Sequence, residues 1–282
     1  MGAKLKKILL LLLLLSSFAV KGYCVDYTSD ANVVAAYLFD EGSGTTVDDS
    51  TANSNVGNFK ASGEPAWAAI SGTGAPTYAT YSVDFDATDD LINCASDTTI
   101  DDVFINGGSF VGWIFVEGTG EGNFGYLFGK TQVTGPFGSR LTTDDSSGTN
   151  RLFFGLNSNS GADTNPGRIT NNNIYTDSVW AHTAVLKDDN SITATTLHIY
   201  VDGVEATYAQ TTNGVGTLTS DGSYTLMLGN RNGSDRTFNG DITENAFFKR
   251  VISSTEINDI MDNGLVGGGA PAARRLIMVS EE

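Results

Sequence analysis

Carboxylates are the most numerous chemically capable side chains in this sequence: 33 Asp and Glu stand against 16 Lys and Arg and two His. Acids in such number suit glycoside hydrolysis, which needs two carboxyl groups at a fixed separation, one donating a proton and the other attacking or activating water. The spacing does not supply that pair. Glu244 falls on a strand-like segment, but Thr243 and Asn245 flank it and no acid sits two residues away. Nucleophilic chemistry has weaker support. His182 and His198 both lie on strand-like segments, and no serine occupies the glycine-flanked turn of a nucleophile elbow, so both read as ordinary sheet side chains. Cys24 and Cys94 are the only cysteines; with two histidines they make no metal or redox spacing, and they can form one disulfide in an oxidising compartment. Gly118, Gly120 and Gly122 suggest a phosphate cradle but lack the lysine and the following helix. The chain reads as a non-catalytic protein.

Composition narrows the partners. The net charge of −17 excludes the counterion-release binding that holds proteins to nucleic acid. Hydrophobic residues at 40% and aromatics at 10% are too many for a disordered chain. The 33 glycines, without a Gly-X-Y period, predict many turns. Residues 1–22 have the layout of a signal peptide: Lys4, Lys6 and Lys7, an apolar run from Ile8 to Leu15, then Ser16, Ser17 and small residues near Gly22. A stable membrane span is not expected, because the two serines interrupt the run after eight residues. Loss of this leader, with Lys21, removes four positive charges and takes the net charge from −17 to −21. The expected location is therefore secreted or at the cell surface.

The elements that must position these residues are mostly strands. From residue 30 to 250 short segments with a period of two alternate with Gly, Asn, Asp, Ser and Thr clusters. Leu197, Ile199 and Val201 alternate with His198, Tyr200 and Asp202; Asp202-Gly203 then supplies a hairpin turn before Val204, Ala206 and Tyr208 resume the pattern. Similar segments at 33–39, 82–85, 110–116, 151–156, 180–186, 224–228 and 242–248 bring the expectation to at least nine strands. With no crossover helix between them, two packed antiparallel sheets bury their faces, giving an all-β sandwich. One short helix is expected near the end, where Ser253 and Glu256 have capping-box spacing, Ile257, Ile260 and Met261 share a face, and Gly264 ends the segment. Residues 23–264 thus form one domain, and 265–282 a Gly-rich linker and tail.

Several motifs, in order, resemble the laminin G-like or pentraxin-like jelly roll of the concanavalin A-like lectin/glucanase superfamily. They are Val34 to Gly44 followed by Val47-Asp48-Asp49-Ser50, Val83-Asp84-Phe85-Asp86, Gly108 to Trp113, Trp180 to Val185, Leu197 to Gly203, Phe238 to Ile242, and the helix from Ser253 to Ile260. The resemblance implies the sandwich fold and a binding role toward glycans or surface proteins, often with calcium; the Glu-x-Asp-x-x-Glu run of glucanases with this fold is missing. It does not supply a reaction. Gly112 stands where a larger core residue is expected, and 118–173 reads as a long loop-rich stretch.

Calcium requires six to eight oxygens, and loops rich in Asp, Asn and Gly provide them. Glu41 and Asp49 after the first strand, with Asp241 at the start of a late one, are the expected ligands, and Asp84 and Asp89 a second cluster. For sugar contact, rings that stack and donors that fix hydroxyls are needed. Trp67, in the turn-rich segment 63–72, and Arg140, Arg231 and Arg236, on apparent loops, are the expected ligand-binding residues, with Trp113 and Trp180 assigned to the core. The alternatives are an attachment protein of a cell surface, appendage or virus-like particle that uses the tail after Gly267, and a glycoside hydrolase with dispersed carboxylates.

Overall fold

A computed structural model describes residues 25–60, 64–131, 137–144, 148–158 and 165–267. The leader, Cys24 and the tail from residue 268 lie outside these. Seventeen strands follow in chain order: β1 (Val33–Tyr37), β2 (Thr46–Val47), β3 (Gly57–Phe59), β4 (Ala66–Ala69), β5 (Tyr81–Asp86), β6 (Ile92–Asn93), β7 (Gly108–Val116), β8 (Tyr126–Thr131), β9 (Phe137–Asp144), β10 (Arg151–Gly155), β11 (Gly167–Thr170), β12 (Trp180–Lys187), β13 (Leu197–Val201), β14 (Val204–Glu205), β15 (Tyr208–Thr212), β16 (Leu226–Leu228) and β17 (Asn239–Phe248). One helix, α1 (Ser254–Asn263), follows.

The strands build two antiparallel sheets. The first runs β14-β13-β12-β7-β17-β5-β4, with β1 paired to β17; the second runs β15-β11-β10-β9-β8-β16-β6-β3-β2. Alternate residues of both point inward, as the period of two requires. Phe110, Ile114, Val185, Ile199 and Phe247 from the first sheet meet Phe128, Leu141, Leu152, Phe154 and Leu228 from the second. Phe128 packs against Phe110 and Phe247 at centroid distances of 4.8 and 5.2 Å, in tilted and edge-on geometries that suit the ring quadrupoles. Gly112 is explained by this interior. A Cβ there would lie 2.0 Å from Asn245 Oδ1, so the side chain of Asn245 fills the space that a larger residue at 112 would take.

The expected local signals are present. Asp202 and Gly203 both have positive φ, 49° and 77°, as the tight hairpin between β13 and β14 demands. Ser253 Oγ accepts from Glu256 N while the Glu256 carboxylate accepts from Ser253 N, so the capping box forms. α1 lies on the outer face of the first sheet, where Ile257 and Ile260 join Ala36, Val111, Ala184, Ala246 and Phe248 in a second apolar cluster. Tyr27 N donates to Leu265 O at 2.8 Å, so the two ends of the described domain meet on this side.

The stretch 118–173 departs from expectation. It carries β8, β9, β10 and β11, four adjacent strands of the second sheet, where the sequence reading has only one. The physical reason is that β8 is buried along its whole length and its pairing with β9 is interrupted by register shifts, which erases the alternation.

Candidate functional site

Because Leu152 and Phe154 face the core, Arg151 and Phe153 on the same strand face outward from the second sheet. Phe153 pairs across β11 with Ile169 and Gly155 with Gly167, while on the other side Gly155 faces Arg140 and Arg140 faces Gly129. Glycines under this face let the rings lie flat. A Cβ on Gly155 or Gly167 would come within 2.4 and 2.7 Å of the Phe153 ring, and one on Gly129 within 2.8 Å of the Tyr126 ring. The Arg140 guanidinium stands over Phe153, 4.8 Å from its centroid, a cation–π stack.

Arg231 completes the group from the loop after β16. Its Nε and Nη2 both donate to the Asp235 carboxylate at 2.7 Å. Burial lowers the readiness of Arg140 to hold its proton, the neighbouring charge of Arg231 acts in the same direction, and Tyr126 opposes both. Arg231 is influenced by Tyr126 as well, so the two guanidinium groups flank one phenol. The result is a shallow face of Arg140, Phe153 and Arg231 over the buried Tyr126, whose planar groups suit the face of a sugar ring. Two voids of about 10 Å³ each, one beside Leu156, Leu218 and Asp221 and one between the sheets beside Phe104, Lys130 and Phe247, have room for no more than a water, and neither is walled by converging acids.

The expected ligand-binding residues divide. Arg140 and Arg231 come together, although Arg140 is on β9 rather than on a loop. Arg236 is on the loop before β17, where its Nη1 donates to Asp235 O at 2.8 Å and lies beside Gly122, at the rim of the face. Trp67 is elsewhere, and its expected loop is strand β4: its ring packs on Phe59 at 5.5 Å and Nε1 donates to Gly44 O at 3.0 Å. Trp113 and Trp180 are buried, as expected. Tyr126 and Phe153 were missed. The alternation Arg151, Phe153, Gly155 against Leu152, Phe154 carried the signal for Phe153.

The acids expected to bind calcium make local contacts. Asp49 accepts from the backbone N of Ala36, Thr51 and Asn55 and from Thr51 Oγ1. Glu41 accepts from Asp48 N, Asp89 pairs with Lys60, and Asp241 accepts from Ser82 Oγ at 2.6 Å. Among the described residues no group of three or more His, Cys, Asp and Glu converges. Cys94 is a buried thiol, pushed up to about 12 mainly by burial, while its proposed partner Cys24 lies outside the described residues.

One acidic pair does form on the outer face of the first sheet. Asp84 and Asp241 are direct cross-strand partners on β5 and β17. Burial, then the charges of Asp241, Glu117 and Asp86, raise Asp84 to about 6. The two histidines differ in their surroundings, and His182 is buried with both ring nitrogens unpartnered. His198 lies between Asp188 and Glu205, and His182 is enclosed, its ring edge-on to Trp113 at 5.3 Å.

The profile of the concanavalin A-like lectin/glucanases superfamily matches residues 106–258, more than half of the sequence. The chain belongs to this family. No curated protein matches it. Among solved structures it is similar to domain 4 of AbnA, an extracellular arabinanase of Geobacillus stearothermophilus in complex with arabinotriose, at 15% identity and a TM-score of 0.54, covering 82% of this chain and 98% of that one. The binding domain of botulinum neurotoxin serotype G aligns at 12% identity and a TM-score of 0.56, over 82% of this chain and 50% of that one. A sialidase of Trypanosoma rangeli aligns at 13% and 0.55, over 86% of this chain and 34% of that one. This family member therefore spans half the neurotoxin domain and a third of the sialidase. At these identities the likeness concerns the fold. No described helix is long and apolar enough to cross a membrane.

Proposed function

We propose that this chain is a non-catalytic, exported module that binds carbohydrate on the outer face of its second sheet. The observation that carries this reading is the Arg140 guanidinium held over Phe153, itself lying flat on Gly155 and Gly167, so that a planar stacking surface is fixed before a ligand arrives. The oligosaccharide named with the arabinanase domain supports it by analogy of fold. The leader supports export. The test is a glycan array with the intact chain and with Phe153→Ala. The variant is expected to lose at least tenfold in affinity for whichever glycan binds, because the guanidinium loses the ring that holds it in place. Unchanged affinity overturns the assignment of this face. Because this face offers rings and guanidinium groups rather than oxygen ligands, a chelator is expected to leave glycan affinity unaltered.

A second reading, hydrolysis, is favoured by one observation: the raised Asp84 acid beside Asp241, the kind of carboxyl pair that glycosidic cleavage uses. Reducing-sugar release from a polysaccharide panel that disappears in Asp84→Asn would replace the binding reading with this one.

A further inference from the structure

Lys130, on β8, carries its amine into the interior: its side chain is 2% exposed and lines the void between the sheets together with Ile100, Val103, Phe104, Leu226 and Phe247. Its Nζ pairs with the carboxylate of Asp101, in the turn before β7, and lies 3.3 Å from Oδ1 of Asp221, in the loop before β16. It also donates to Asp221 O at 3.0 Å. Asp221 is held in place independently of the amine. Its Oδ1 accepts from Asp102 N at 2.8 Å and its Oδ2 from Ser139 Oγ at 3.1 Å, while Asp221 N donates to Asp102 Oδ1 at 2.9 Å. One enclosed amine thus faces two carboxyl groups, one more than an ion pair needs. We propose that Lys130 and Asp101 join in an intramolecular amide, with Asp221 carrying the protons. This bond is independent of the carbohydrate reading.

The step is a condensation in which an ammonium and a carboxylate become an amide and one water. The Nζ lone pair forms a bond to Asp101 Cγ, and the bond from Cγ to one carboxylate oxygen breaks. Two protons leave Nζ and both end on the departing oxygen by way of Asp221, so nothing is oxidised or reduced. In water the separated charges win, but burial makes them costly and favours the neutral amide. Folding also holds the amine against the carboxyl group it must attack, which replaces a collision with a standing contact. Burial is the chief influence on Asp221 and raises its pKa against the opposing charge of Lys130, which suits a group that takes and returns a proton. Asp101 keeps 18% of its side chain exposed, an exit for the water. Lys187 is buried as well, yet its carboxylate partner Asp189 is 60% exposed, so hydration keeps that pair ionic. The amide ties the turn entering β7 of the first sheet to β8 of the second.

The test is mass spectrometry of the full chain, purified and then denatured, beside Lys130→Arg and Asp221→Asn. Once the substitution is allowed for, the parent is expected to be one water lighter than Lys130→Arg, which keeps the charge but loses the amine. Trypsin does not cut after an amidated lysine, so the peptide bond following Lys130 is expected to survive digestion of the parent. Further cleavage with chymotrypsin is expected to yield the segments containing Asp101 and Lys130 as one branched peptide. Asp221→Asn keeps both reacting groups and loses the proton carrier, and is expected to show the uncondensed mass. Circular dichroism establishes that both variants are folded; where either is not, the parent digest alone decides. Tryptic cleavage after Lys130 in the denatured parent, with no branched peptide, overturns the inference. A loss of water that persists in Lys130→Arg overturns it too, since an aspartate has then cyclised on its own backbone. Complete condensation in Asp221→Asn overturns the part given to Asp221.

Discussion

At the scale of residues, the two buried ionisable groups beneath α1 set opposite limits on stability. His182 is enclosed, and burial lowers its pKa to about 3 from an ordinary 6.5. Its folded pKa is depressed, so acid favours the unfolded chain, and stability is expected to fall as pH drops below 6.5 toward 3. Glu244 behaves in the reverse sense. Burial raises it from 4.5 to about 7, so the protein holds the neutral acid well, and stability is lost as pH rises from 4.5 through 7. The loss is on the order of 3 kcal/mol when complete. Glu244→Gln keeps an acceptor for Leu265 N, whose bond to the carboxylate is 3.1 Å long. Melting curves are expected to show this variant more stable than the parent at pH 8 and equal to it at pH 4. The strand carrying Glu244 was readable from the sequence. Its burial was not, because Glu244 has φ of 53° within a register shift between Thr243 and Ala246, and a local bulge re-aims a side chain without changing the residue pattern.

At the scale of elements, helix α1 and the β13–β14 hairpin show where local chemistry suffices. Their ends are written in side chains: Ser253 and Glu256 at one, Asp202-Gly203 at the other. Ser253→Ala is expected to destabilise the domain by about 1 kcal/mol, measured by denaturant unfolding. All nine expected strands form; β13 alternates on a half-buried surface, whereas β1, β12 and β16 are buried throughout and were legible as short apolar segments bounded by turn residues. Short strands such as β2, β3 and β6 were illegible, being two or three residues defined by partners distant in sequence. The candidate site suffered from the same limit. Arg140 and Arg231 were visible as residues, but their convergence depends on β8, β9 and β16 becoming neighbours, which no local pattern encodes. Gly155 supports that site as part of β10. Gly155→Ala is expected to push the Phe153 ring off its seat, weakening glycan binding in calorimetric titration while leaving the sandwich folded.

At the scale of the whole molecule, the two sheets divide the labour. The first is covered on its outer face by α1, whereas the second turns Arg140, Phe153 and Arg231 outward. Charge is divided as well, with an acidic body and a small basic area. Raising ionic strength is therefore expected to stabilise the fold slightly, by screening self-repulsion, which melting curves at low and high salt would measure. The pairing of Tyr27 with Leu265 adds a geometric consequence. Both chain exits leave from the helix-covered back of the sandwich, so anything joined to either terminus, whether an anchor or another folded unit, holds the module like a hand presented palm outward.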